Sequence, residues 1–142
     1  MANENIITQL SIFINNEPGR LAAVAGILKE FNINVKGFNL AESTEFGILR
    51  AIVDDPDKAF DCIRSKGVIV KKTDVIGVAI TRGSGSFFEA ADVLGKAGMN
   101  IDYGYAYNSK NFESLFLRVD DAEKAVDVLK KAGIKLIKKS EI

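Results

Sequence analysis

The chain repeats itself. With residue i set beside residue i+66, the register holds without a gap from Leu10/Ile76 to the C-terminus, and 17 of 67 pairs are identical, where this composition alone would give about four. The matches include Gly19/Gly85, Leu28/Leu94, Asn34/Asn100, Phe46/Phe112, Val53/Val119, Asp54/Asp120, Asp55/Asp121, Ala59/Ala125 and Gly67/Gly133. Several are turn glycines or helix caps, so what recurs is the punctuation of one supersecondary unit. The fold must therefore be two copies of that unit, residues 1–72 and 73–142, with only Lys71-Lys72-Thr73 between the last strand of one and the first of the next. With no linker, the halves are expected to lie against each other.

In the first copy, Leu10, Ile12 and Ile14 alternate with Ser11 and Phe13, the period of a strand starting near Ile6. Asn15-Asn16-Glu17-Pro18-Gly19 ends it. Leu21, Val24, Ile27, Leu28 and Phe31 then recur at helical spacing. Asn32 and Asn34 open a second strand from about Ile33 to Leu40, Glu42-Ser43-Thr44-Glu45 reads as a hairpin loop, and Phe46 to Val53 returns as a third strand. Asp54 or Asp55 can cap the next helix, with Pro56 in its first turn and Ala59, Phe60 and Ile63 on its buried face. Gly67 stops it, and Val68 to Val70 starts a fourth strand.

The second copy repeats the order: strand Asp74 to Ile80, turn Thr81 to Ser86, helix Phe87 to Ala97, strands Asn100 to Tyr107 and Phe112 to Val119, helix Asp121 to Ala132, and a short strand around Ile134 to Ile137. Each copy is βαββαβ, which under the right-handed crossover rule gives an antiparallel four-stranded sheet with both helices on one face. The expected class is α+β, two tandem ferredoxin-like units packed together.

Composition then removes functions. The chain holds 19 basic and 19 acidic residues, so no net positive field draws in a nucleic-acid backbone. It has no histidine, which removes imidazole metal sites and triads with a histidine base. Cys62 is the single cysteine, so no internal disulfide and no multi-cysteine metal site forms in one chain. No metal or cofactor is expected. The N-terminus has no basic or apolar leader pattern and no apolar run reaches the roughly 18 residues of a membrane span, so the expectation is a cytoplasmic protein without membrane or nucleic-acid partners. Known chemistries of this architecture fare no better. The first loops carry no Cys-x-x-Cys pair for a soft metal, and Phe46-Gly47-Ile48-Leu49 offers one ring where RNA recognition needs adjacent aromatics.

What remains is the first turn. In both copies a glycine precedes the first helix, so bare backbone N–H groups face outward at the positive end of the helix dipole, where a carboxylate can dock. Such a terminus contributes only about 0.3–1 kcal/mol when exposed, so polar side chains must help, and Asn16, Asn34 and Asn100 are candidates.

At Asn16-Glu17-Pro18-Gly19-Arg20-Leu21, followed by Phe31-Asn32-Ile33-Asn34-Val35, the sequence resembles the ACT domain family, regulatory modules that bind free amino acids beside metabolic enzymes. Two such units would cover nearly the whole chain. The resemblance implies that Asn16 and Asn34 hold the ligand's amino and carboxylate groups, that Gly19 permits close approach with Pro18, Arg20 and Leu21 beside it, and that units pair through their second strands. It further implies an amino-acid effector, an enzyme partner in trans and a homodimer. The second copy keeps Gly85, Ser86 and Asn100, but Ser84 replaces the proline, Gly83 the glutamate and Arg82 the asparagine. There Arg82 and the backbone of Gly83 to Ser86 hold a carboxylate by charge-assisted bonds, or the site is degenerate.

Other readings stay open. Asn34 and Asn100 also suit strand-opening turns. Arg82-Gly83-Ser84-Gly85-Ser86 lacks the ending of a phosphate loop, and Asp54-Asp55 and Asp120-Asp121 sit where caps are wanted. Cys62 reads as a small core side chain. Tyr103, Tyr105 and Tyr107, alternating where the first copy has Gly37, Asn39 and Ala41, serve as core, as cover for the partner copy, or as a ligand wall. The leading expectation is a non-catalytic, amino-acid-binding regulator with its ligand between two units. The alternatives are a small enzyme using Arg82 and the Gly85 turn on a phosphorylated or carboxylated substrate, and a structural oligomerisation module.

Overall fold

The computed structural model describes residues 3–42, 46–80, 85–108 and 113–142. The elements run β1 (Ile6–Asn15), α1 (Arg20–Glu30), β2 (Val35–Glu42), β3 (Phe46–Val53), α2 (Pro56–Ser65), β4 (Ile69–Ile80), α3 (Gly85–Lys96), β5 (Ile101–Asn108), β6 (Glu113–Val119) and α4 (Ala122–Lys131), with a 3-10 turn at Lys139–Glu141. The expected loop residues Ser43 to Glu45, the second first-turn residues Thr81 to Ser84, and Phe112 lie outside the described residues. The chain divides into two compact units, Thr8–Thr73 and Met1–Ile7 with Asp74–Ile142.

In the Thr8–Thr73 unit, β3 lies between β2 and β1 and is antiparallel to both, while the Ile69–Thr73 stretch of β4 flanks β1. Leu10 faces Ala51 and Ile12 faces Leu49 across the β1/β3 ladder. Alternation of side chains puts these on one face, where they meet Val24 and Leu28 of α1 and Ala59 and Ile63 of α2 in a closed core. Both helices therefore cover one side of the sheet, as the pattern requires.

The other unit follows the same plan. β6 lies between β4 and β5, and Ile76, Val78, Leu115 and Leu117 meet Ala90 and Leu94 of α3 and Ala125, Val126 and Leu129 of α4. The opposite sheet face carries Phe116, fully buried, with the rings of Tyr105 and Tyr107 at 5.9 and 5.8 Å. Buried Tyr105 thus takes the core role among the readings of the tyrosine stripe. A Cβ on Gly77 would come within 2.9 Å of the Phe116 ring and 3.0 Å of Ile137, which explains why this strand position is glycine.

Two boundaries differ from the sequence expectation. The first residues group with the second unit: the Asn5 side-chain amide donates to the Ile137 carbonyl, the Lys139 N–H donates to the Glu4 carbonyl, and Ile6 packs on that unit's core. And β4 is one strand of 12 residues where two were expected, because Lys71-Lys72-Thr73 contains no glycine, proline or Asx to break extended backbone. The closing strand reduces to one bridge, Leu136 to Val78.

The helix ends obey local rules. Asp55 accepts from the Lys58 N–H and Asp121 from the Lys124 N–H, so the second aspartate of each pair is a cap. Gly67 and Gly133 sit at φ 78° and 77°, the left-handed conformation that ends a helix most cheaply at glycine. Truncating Ile63 or Leu94 to alanine is expected to cost about 2–5 kcal/mol, and Asp121→Ala about 1 kcal/mol. Urea unfolding should show these as lowered midpoints with unchanged m-values.

Candidate functional site

α1 starts differently from α2 and α4. Its N-cap is Gly19, at φ 86° and ψ −8°, and no side chain caps it. A residue with a side chain is strained in that conformation. The Arg20 N–H turns back to the Glu17 carbonyl at 3.3 Å and the Ala23 N–H reaches the Gly19 carbonyl at 3.0 Å. The amides of Leu21 and Ala22 are then the ones the helix leaves without an internal acceptor. They point out of the positive end of the helix dipole, the arrangement suited to an anion.

Beside this terminus lies a cavity of about 310 Å³, walled by Asn15 at the end of β1, Arg20, Ala23 and Ile27 of α1, Lys66 from the α2–β4 connection and Ile69 at the start of β4. That is the lower end of the size range of small-molecule sites. Arg20 is shared with Glu17 at 3.3 Å, and Lys66 with Glu30 at 3.6 Å, all on exposed side chains. In water such pairs contribute little and exchange readily for a ligand carboxylate.

The expected residues fall into three groups. Asn16, Pro18, Gly19, Arg20 and Leu21 stand together on the turn and first coil of α1, all exposed, and of these Arg20 lines the cavity while the others stand outside its walls. Asn34 does not join them. It follows α1's far end, about 16 Å along the helix, and lines a separate cavity of about 280 Å³ with Leu28, Lys29, Asn32 and Val35. The Asp54 carboxylate accepts from both its backbone N–H and its side-chain amide, each at 3.1 Å, and the Asp54 N–H donates to the Asn34 carbonyl. This clamp ties the start of β2 to the end of β3. Asn100, its repeat mate, instead donates to Asp102 at 3.0 Å. The first copy has Lys36 where the second has Asp102, so the same asparagine meets different neighbours.

In the second copy, Arg82 and Ser84 lie outside the described residues, Gly85 is the first residue of α3, and Ser86 is half-buried in its first turn. Cys62 is a half-buried free thiol. The residues that sequence reasoning missed are Asn15, Lys66 and Ile69. They reach the cavity from the end of β1, the end of α2 and the start of β4; Asn15 opens the turn that the sequence marks and Lys66 precedes the turn glycine Gly67, while Ile69 carried no positional signal.

Among the described residues, no group of three or more cysteine or acidic side chains is placed to hold a metal ion, and no helix is long and apolar enough to cross a membrane. Fold and turn together define a class, the tandem ferredoxin-like module with an uncapped first helix. The chain belongs to the ACT domain pair family, whose model matches residues 5–142. Among solved structures, it is similar to protein BT0572 from Bacteroides thetaiotaomicron, with 34% identity, 99% of this chain and 97% of that chain covered, and a TM-score of 0.92. The ligand-free regulatory subunit of aspartate kinase from Thermus thermophilus shares the fold at 16% identity, with 92% and 95% covered and a TM-score of 0.61. The regulatory subunit from Thermus flavus does so at 15% identity, 92% and 94% covered and a TM-score of 0.59. No curated protein sequence matches the chain.

The Asn34–Asp54 clamp makes its own prediction. Asn34→Ala and Asp54→Ala should be non-additive, with a double-mutant coupling of about 0.5–1.5 kcal/mol by urea unfolding. Additive losses would mean that the clamp contributes nothing in solution.

Proposed function

We propose that this chain is a non-catalytic regulatory module whose Thr8–Thr73 unit binds a small carboxylate-bearing effector at the Gly19 turn. The observation that carries the reading is the uncapped α1 terminus beside a cavity flanked by Arg20 and Lys66. The effector's carboxylate sits on the amides of Leu21 and Ala22 with Arg20 beside it, while Asn16 and Pro18 shape the turn. Free amino acids are the carboxylates that membership of the family implies. Asn34 serves the strand clamp, because its hydrogen bonds go to Asp54 and its cavity is at the other end of α1. In the second copy, Gly85, Ser86 and Asn100, with Arg82 and Ser84, are at most a second site of the same kind.

Regulation in trans follows if the effector favours one state of the module over another, with a coupling of about 1–3 kcal/mol. Two solved relatives of the same fold are regulatory subunits of aspartate kinase, which supports an enzyme as the partner. Pairing of two copies is supported by β2, an edge strand that exposes Phe38 at 59% and Leu40 at 41%. Such an edge is a liability unless it is covered.

Thermal-shift screening with the common amino acids and their deaminated acids tests the reading. A ligand at a hundred times its Kd adds about 2.7 kcal/mol, a rise in Tm of about 5–10 °C for a chain of this length. Arg20→Ala should remove most of the rise and Asn34→Ala should keep it; the reverse pattern would move the site to the Asn34 end of α1. Phe38→Glu should convert a dimer to a monomer in light scattering, and an unchanged mass would exclude β2 as the contact.

A further inference from the structure

The family leaves open which side chain a bound amino acid carries, and the lining of the cavity beside the Gly19 turn bears on that choice. Buried Ile14 and Val24 form its floor, half-buried Ile27 and Val68 its sides, and exposed Ala23 and Ile69 stand at its rim. The polar side chains that line it are Asn15, Arg20 and Lys66, all three exposed. Arg20 and Lys66 bring Glu17 and Glu30 with them, at 3.3 and 3.6 Å, so both signs of charge stand beside the rim. Exposed pairs of this kind open at little cost. A zwitterion's carboxylate and ammonium both find opposite charges there, and what lies beyond its α-carbon faces the floor.

Further in, that side chain meets hydrocarbon. A hydroxyl, amide or charge carried to Ile14 and Val24 loses its water and finds no polar side chain in exchange. A methyl or methylene group loses only unfavourable contact with water. Apolar walls with a few polar groups at one end are the usual make-up of a small-molecule site.

The repeat shows that the fold does not require this lining. Where the first copy has Ala23 and Ile69, the second has Glu89 and Lys135, both exposed, in a unit of the same plan. Charge is therefore tolerated at both positions, yet the first copy keeps them apolar, with Ile69 65% exposed.

We infer that the effector is an amino acid with an aliphatic side chain of the valine or leucine kind, its charged groups at the rim and its side chain between Ala23, Ile27 and Val68. This rests on the reading of the Gly19 turn as a carboxylate receptor and narrows the amino acids to one class.

Shape-matched pairs test it by calorimetry on the full chain: valine against threonine, and leucine against asparagine. The apolar member of each pair should bind at least about tenfold more tightly, since an apolar pocket rejects a hydroxyl on a matched shape by up to about a hundredfold. Ala23→Leu keeps a good helix former at an exposed position and fills the cavity. With the fold intact by circular dichroism, it should weaken leucine at least about tenfold and alanine little, a dependence on ligand size that a loss of stability does not produce. Ala25→Leu, exposed on the same helix and outside this cavity, should change neither. Threonine and asparagine binding as tightly as their partners, with Arg20→Ala removing all four, would overturn the side-chain class and leave the carboxylate receptor standing. Leucine affinity kept in Ala23→Leu and lost in Ala25→Leu would overturn the placement of the side chain. No binding by any of the four amino acids would overturn both the inference and the reading beneath it.

Discussion

Each unit depends on one plane of contact, the single sheet face against which both of its helices pack. Leu10, Ile12, Leu49 and Ala51 in one unit, and Ile76, Val78, Leu115 and Leu117 in the other, are apolar because alternation sends them to that face. Burying two amphipathic helices on one side fixes where their ends emerge. The α1 terminus must come out at the end of β1, next to the α2–β4 connection. A cavity there is a consequence of topology, and the residues around it decide its chemistry.

The contrast among helix termini shows that choice at work. α2 and α4 spend an aspartate on their own first turns, which satisfies an amide and occupies the positive end of the dipole. α1 has glycine in a left-handed conformation and no cap. A cap at this position stabilises a helix by about 1 kcal/mol, and α1 forgoes it, leaving the amides of Leu21 and Ala22 without a capping side chain. Around them stand Arg20 and Lys66, each in an exposed ion pair, with Glu17 and with Glu30, of the kind that exchanges readily for another carboxylate.

The fold was legible in the sequence because its signals are local and occur twice. Gly67 and Gly133, Asp55 and Asp121, and the alternation of Leu10, Ile12 and Ile14 each have a single-residue cause that the structure repeats. β4 was the exception: the break expected at Lys71-Lys72-Thr73 was inferred from the repeat, not from any residue that interrupts a strand. The candidate site was legible only in part. The turn from Asn16 to Leu21 is contiguous and could be read directly. Asn34 reads from sequence alone either as a ligand group or as a strand-opening residue, because asparagine after a helix serves both equally well, and only three dimensions bring Asp54 to it. Lys66 at the end of α2 and Ile69 of β4 come from elements other than that of Phe13 and Asn15, so no spacing announces that they share a wall.

The most direct test is an amide chemical-shift titration of the 15N-labelled chain with the amino acid that raises its Tm most. The account predicts that the largest shifts fall on the amides of Leu21 and Ala22, with Asn15 and Lys66 following at the same half-saturation, while Lys58 and Lys124, whose amides are already capped by Asp55 and Asp121, stay in place. Shifts centred on Asn34 and Val35 with Leu21 and Ala22 unmoved would contradict it.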